Sequence, residues 1–117
     1  MSILLNKAAL AHAKKLIKQG DYERFSKSEW ADEQASPDEE NNYINHHTTA
    51  DFGLWFLGIT TDNPTSKKDY VYPYGDFNEV HLCGLQDTSQ RAKENGDTEI
   101  VAAAQELIKL IDAQKGA

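Results

Sequence analysis

Apolar side chains at Ile3, Leu5, Ala9, Leu10, Ala13, Leu16 and Ile17 recur every three or four positions, so they fall on one stripe of a helix running from Ser2 to Gln19. Gly20 stands where a left-handed residue would close that helix, and Lys14, Lys15 and Lys18 oppose the negative end of its dipole. Asp21 to Ala35 is less regular. Tyr22, Phe25 and Trp30 are its large anchors, and the spacing predicts a short helix or turn and then a loop. At Ser36-Pro37-Asp38-Glu39 a capping serine, a proline at the first helical position and a glutamate three residues after the cap predict a helix from Pro37. It should fade near His46 and His47, because Thr48 and Thr49 favour extended backbone.

Asp51 to Thr61 is rich in aromatic and β-branched residues and apolar on both alternating faces, the pattern of a buried strand. A polar loop from Asp62 to Lys68 separates it from a second strand, Tyr70-Val71-Tyr72, which Pro73 ends, so the two should form an antiparallel hairpin. Asp76 with Glu79 three residues later repeats the capping pattern and predicts a helix from Phe77 to the stop at Asn95-Gly96. Asp97 then caps a last helix whose Ile100, Val101, Ala104, Leu107, Ile108 and Ile111 make the strongest apolar stripe in the chain. The short connection between these two helices predicts an antiparallel αα-hairpin. The expected fold class is therefore α+β, mainly helical, with about four helices packed on a two-stranded antiparallel β-hairpin. At 117 residues this is one domain, 1–117.

Charge narrows the function classes. A net charge of −7 repels phosphate backbones and anionic lipid, and the lysine clusters at Lys14, Lys15 and Lys18 and at Lys67-Lys68 read as solvated faces. Nucleic acid and membrane are not expected partners. The single cysteine, Cys83, excludes an intrachain disulfide, and the apolar run at the N-terminus is too short for a signal peptide. The longest apolar run, Leu54 to Ile59, falls far short of the roughly 20 residues a spanning helix needs. A soluble, cytoplasmic protein is expected.

Phosphate-cradling glycine loops, a nucleophile-elbow serine, a His-Glu-x-x-His and a CxxC pair are all missing from the sequence. What carries chemistry is a loose set: His46, His47, Asp51, Asp76, Glu79, His81 and Cys83. Adjacent His46 and His47 diverge on any regular element, and their place at a helix end suits imidazoles facing the negative dipole. His81 and Cys83 diverge on a helix and would need His46, His47 or Asp51 to complete a zinc tetrahedron. Cys83 would lie about two turns into the helix beginning at Phe77, beyond the reach of its N-terminal dipole, which favours a small buried hydrophobe. Asp76 and Glu79 are accounted for as helix caps. Neither a metal nor another cofactor is expected. Tyr70, Tyr72 and Tyr74 alternate, so their rings should pack between hairpin and helices with the hydroxyls in solvent. A candidate ligand cleft near the Tyr74-Gly75-Asp76 turn would be lined by Tyr72, Tyr74, Asp76 and His81.

The segment from Tyr70 through Pro73-Tyr74-Gly75-Asp76-Phe77 to Val80-His81 and Gly84, with Trp55 to Ile59, Lys67-Lys68 and Gln90-Arg91-Ala92, resembles a group of small uncharacterised bacterial proteins. They share a WxLGI strand, a lysine-bearing loop, a YxxPYGDF segment and a VHxxG helix start. Loosely similar segments occur beside some phage prohead proteases. The resemblance implies an architecture and no activity. The function expected from the sequence is a non-catalytic binding or assembly module, its partner a second copy of the chain or another protein. The alternative is a small enzyme or metal-dependent protein using Asp76, His81 and Cys83.

Overall fold

The chain turns from strand to helix at Asn6. In the computed structural model, which describes residues 3–24, 30 and 35–114, β1 (Leu4–Leu5) runs straight into α1 (Lys7–Gln19). The Asn6 side chain accepts from the Ala9 N–H at the helix start and donates to the Gly53 and Phe56 carbonyls at 2.9 and 3.1 Å. One buried amide thus caps α1 and fixes it to the centre of the molecule. The predicted helix from Ser2 begins five residues late for this reason: Leu4 and Leu5 pair with Ile59 and Gly58. Ile3 and Leu5 satisfy a strand's period of two as well as a helix stripe, and the sheet takes them. Gly20, at φ 87°, closes α1 as expected.

β2 (Tyr22–Glu23) follows where a turn or short helix was expected. Phe25 to Glu29, and Ala31 to Gln34, lie outside the described residues. The Ser36 capping box starts α2 (Pro37–His46) as predicted, and His47 ends it. A second box, Thr48 with Asp51, starts the short helix α3 (Thr49–Gly53), so the buried strand expected over Asp51 to Thr61 shrinks to β3 (Phe56–Ile59). Thr48 caps a helix and Thr49 begins it, instead of extending the chain.

β3 pairs antiparallel with β4 (Tyr70–Pro73), Phe56 opposite Pro73 and Ile59 opposite Tyr70, which is the predicted hairpin. It is not the whole sheet. β1 adds a third antiparallel strand on the far side of β3, giving the order β1-β3-β4, and β2 pairs in parallel with β5 (Val80–His81) in a separate two-stranded ribbon. The long hairpin loop is closed by a 3₁₀ turn (Lys67–Asp69), whose Asp69 carboxylate accepts from the Thr65 and Ser66 N–H groups, and Lys67 pairs with Glu40 of α2 at 2.9 Å.

The helix predicted from Phe77 starts instead at Leu82: α4 (Leu82–Asn95) is preceded by β5, and Gly96 at φ 78° turns the chain into α5 (Thr98–Gln114). The last two helices form the expected αα-hairpin. The core lies between the sheet, α1 and this hairpin. Ala9, Ala13 and Ile17 of α1, and Ile100, Ala104, Leu107 and Ile111 of α5, are completely buried, together with Phe52, Leu57, Tyr74, Val80 and Leu85.

Candidate functional site

Residues 74 to 81 form a tight lobe between β4 and α4. Its ends are tied by main-chain bonds, His81 N–H to the Tyr74 carbonyl at 3.0 Å and Asp76 N–H to the Glu79 carbonyl at 3.2 Å, with Gly75 bridged to Val80. Val80 N–H also donates to the Asp21 carbonyl, so β2 holds the lobe from outside, with Glu23 in register with His81. Gly75 is required by proximity: a Cβ there would come within 2.6 Å of the Trp55 ring and 2.7 Å of the Glu79 carbonyl.

Inside the lobe, Asp76 is held on both oxygens. Oδ1 accepts from the backbone N–H groups of Asn78 at 3.0 Å and Glu79 at 2.8 Å. Oδ2 lies 3.0 Å from His81 Nε2. A carboxylate has no proton to give, so the imidazole is the donor. Burial pushes the Asp76 carboxyl up, but the bond from His81 and the backbone N–H groups outweigh it and leave the group below its ordinary value. Glu79 moves the other way. Partial burial and the negative charges of Asp76, Glu23 and Asp21 hold its carboxyl above the ordinary value, against the opposing pull of His81.

His81 is 4% exposed, with the Trp30 ring against it at 5.3 Å. One oxygen from each of Asp76 and Glu79 and one nitrogen of His81 lie within 4.8 Å of one another, and this is the close His, Asp and Glu cluster among the described residues that could hold a metal ion. On the outer side of Asp76 a hollow of about 410 Å³ is walled by Glu39, His46, His47 and Phe77. Phe77, at φ 69°, turns its ring onto Tyr43 at 4.5 Å, and Tyr43 stacks on His47 at 4.0 Å.

The four residues of the predicted cleft are split. Asp76 and His81 meet. Tyr74 points the other way, fully buried, its hydroxyl donating to the Leu54 carbonyl and accepting from His12 at 3.3 Å. Tyr72, at φ 65°, sends its hydroxyl to Asp97 and receives a bond from Asn95 at 2.9 Å, locking β4 to the α4–α5 turn. A positive φ breaks the strand alternation, which is why Tyr72 and Tyr74 do not share a face. Neither hydroxyl goes to solvent as expected. Cys83, in no disulfide, sits at the second position of α4 and not two turns into a helix, so the reasoning that placed it beyond the dipole's reach does not hold.

His46 and His47 do end α2, His46 Nδ1 bonding the Asn42 carbonyl at 2.8 Å. They stand beside Asp76 across the hollow and apart from the close triad, and Asp51 is spent on its capping box. Glu79, left out of the predicted cleft, is the residue the structure brings to Asp76 and His81. Its capping pattern explained it too early, although Asp76-x-x-Glu79-x-His81 was itself a readable spacing. No helix among the described residues is long and apolar enough to cross a membrane. No family model, curated protein or solved structure matches this chain.

Proposed function

We propose that this chain is a non-catalytic binding module of the cytosol, akin to the small bacterial proteins that share its WxLGI and YxxPYGDF segments. One observation carries the reading: both oxygens of Asp76 are bonded within the lobe, and the His81 ring is covered by Trp30. A general acid or base must reach a substrate proton at hydrogen-bond distance, and these two groups are turned on each other instead. Rigid polar groups of this kind hold a ligand better than they shuttle protons.

For the partner we propose a protein, either a second copy or another chain. A groove of about 680 Å³ along the α4–α5 hairpin is lined by Ala92, Val101 and Ala102 together with Lys93, Glu106 and Lys109. The helical stripes themselves are used inside the chain, and Leu4, at 38%, is the exposed large apolar side chain among the described residues. Light scattering over micromolar concentrations tests the second copy: doubled mass in the native chain, returning to single mass in Val101→Glu, supports it, and single mass throughout discards it.

The enzyme alternative on Asp76, His81 and Cys83 needs a reactive thiol. Iodoacetamide labelling under native conditions separates the two readings. Slow labelling of Cys83, unchanged in Asp76→Asn, fits a binding module, whereas fast labelling that collapses in Asp76→Asn would replace it with the enzyme.

A further inference from the structure

We propose that Asp76, Glu79 and His81 form a binding site for a first-row divalent cation, held by one imidazole nitrogen and two carboxylate oxygens. This goes beyond the protein-partner reading and does not depend on it. It also departs from the sequence expectation of no metal, because that expectation treated Glu79 as a helix cap and Asp76 as the start of a helix that begins at Leu82.

Geometry supports the assignment first. Ligands about 2.1 Å from a common ion and at right angles to each other stand about 3.0 Å apart, and 3.0 Å is the separation of Asp76 Oδ2 from His81 Nε2. An ion seated on that edge replaces the proton the two groups share. Glu79 is the third donor, half-buried at the lobe and within 4.8 Å of both. Asp76 Oδ1 stays anchored by two backbone N–H groups, which fixes the carboxylate's orientation as neighbouring bonds do for ligands of known metal sites.

Charge supports it second. His81 is nine-tenths buried, yet it faces two carboxylates, with Glu23 in register beside it and Asp21 bonded through its carbonyl to Val80. The ionised carboxylates repel one another, and a dication at their focus converts that repulsion into attraction. The mixed donors select the class. Hard oxygen-only cages suit magnesium and calcium, whereas an imidazole with carboxylates suits zinc, manganese, iron or cobalt. Three protein donors leave coordination positions open for water or for a group of a partner.

Cobalt(II) is the probe, because its visible absorption reports coordination directly. The native chain, Glu79→Gln and the double variant His46→Ala/His47→Ala are titrated, each first shown by circular dichroism to be folded. The proposal expects one equivalent of cobalt in the native chain, affinity weakened by about tenfold or more in Glu79→Gln, and no change in the double variant. Absence of saturable uptake by the native chain overturns it. So does uptake that survives unchanged in Glu79→Gln, or uptake that disappears with His46 and His47, since the ion would then sit at the end of α2.

Discussion

Two histidines, His12 half-buried and His81 buried, flank the Tyr74–His81 lobe, and the chain treats them differently. His12 meets Tyr74 in the interior, where the partners of the hydroxyl are main-chain carbonyls, Leu54 foremost and Ala9 at 3.3 Å, and the Trp55 ring stands edge-on to the imidazole at 5.0 Å. Burial pushes the Tyr74 hydroxyl up and holds the His12 imidazole below its ordinary value, so both stay neutral. His81 meets a carboxylate with a second carboxylate close by. The first arrangement is a neutral network that satisfies backbone groups and has no charge to offer a ligand. The second sets a buried imidazole against two half-exposed carboxylates, which is what a ligand seat requires.

The largest effect should come from the neutral side. Tyr74→Ala removes a fully buried ring and should cost about 3–5 kcal/mol, while Tyr74→Phe, which keeps the ring and removes the hydroxyl's bonds to Leu54, Ala9 and His12, should cost about 1–3 kcal/mol. Urea unfolding measures both. If Tyr74→Phe proves neutral, the hydroxyl is not a structural bond and the contrast is lost.

Gly75→Ala comes next, at about 1–3 kcal/mol. Its Cβ meets both the Trp55 ring and the Glu79 carbonyl. Because that carbonyl closes the lobe, chemical shifts of Asp76 and His81 should move with the loss of stability; a destabilised variant with those shifts unmoved would show that the lobe is not held by this contact.

Asp76→Asn should cost about 1–2 kcal/mol at neutral pH, and pH separates the two regions further. His12 in the fold resists protonation, so its share of stability is complete above the ordinary imidazole value of 6.5 and is lost as pH falls towards the lowered folded value. Asp76 contributes above the ordinary carboxyl value of 3.8, and its share is lost as pH falls through the depressed folded value. Asp76→Asn should therefore flatten the acid end of the stability profile and leave the step near neutrality, with His12→Leu doing the reverse. A single step abolished by both variants would make the two regions one network.

The smallest expected effect has the opposite sign. Glu79 is held above its ordinary value, so its ionised form destabilises the fold, and Glu79→Gln should be slightly more stable than the native chain at neutral pH. The gain should start to shrink as pH falls to the raised folded value and vanish below the ordinary value of 4.5. A variant less stable than the native chain at neutral pH would mean that Glu79 is structural.

The contrast also marks what the sequence made legible. α1, α2 and the αα-hairpin were readable because Gly20, Ser36-Pro37 and Gly96 punctuate long periodic runs. The short strands were not. Leu4-Leu5, Tyr22-Glu23 and Val80-His81 are two residues each, too brief for periodicity, and their pairing is decided by partners tens of residues away. At the site, Asp76 and His81 were readable as candidates by residue type and proximity. Assigning Tyr72 and Tyr74 to the same cleft failed because the positive φ of Tyr72 reverses the direction that strand alternation predicts. Glu79 was hidden because the Asp-x-x-Glu pattern has a sufficient local explanation in the capping box. Asp76 does accept from the Glu79 N–H, as that pattern requires, yet the helix announced from Phe77 begins five residues later, at Leu82.

The most direct test of the ionic seat is paramagnetic broadening by manganese(II) in the amide spectrum of the native chain, at well below one equivalent. Selective loss of the Glu79, Val80 and His81 signals, with those of Ala9 and His12 intact, is the predicted result. Broadening centred on Asp38, Glu39 and Glu40 at the start of α2, or spread evenly over the acidic surface, would contradict it.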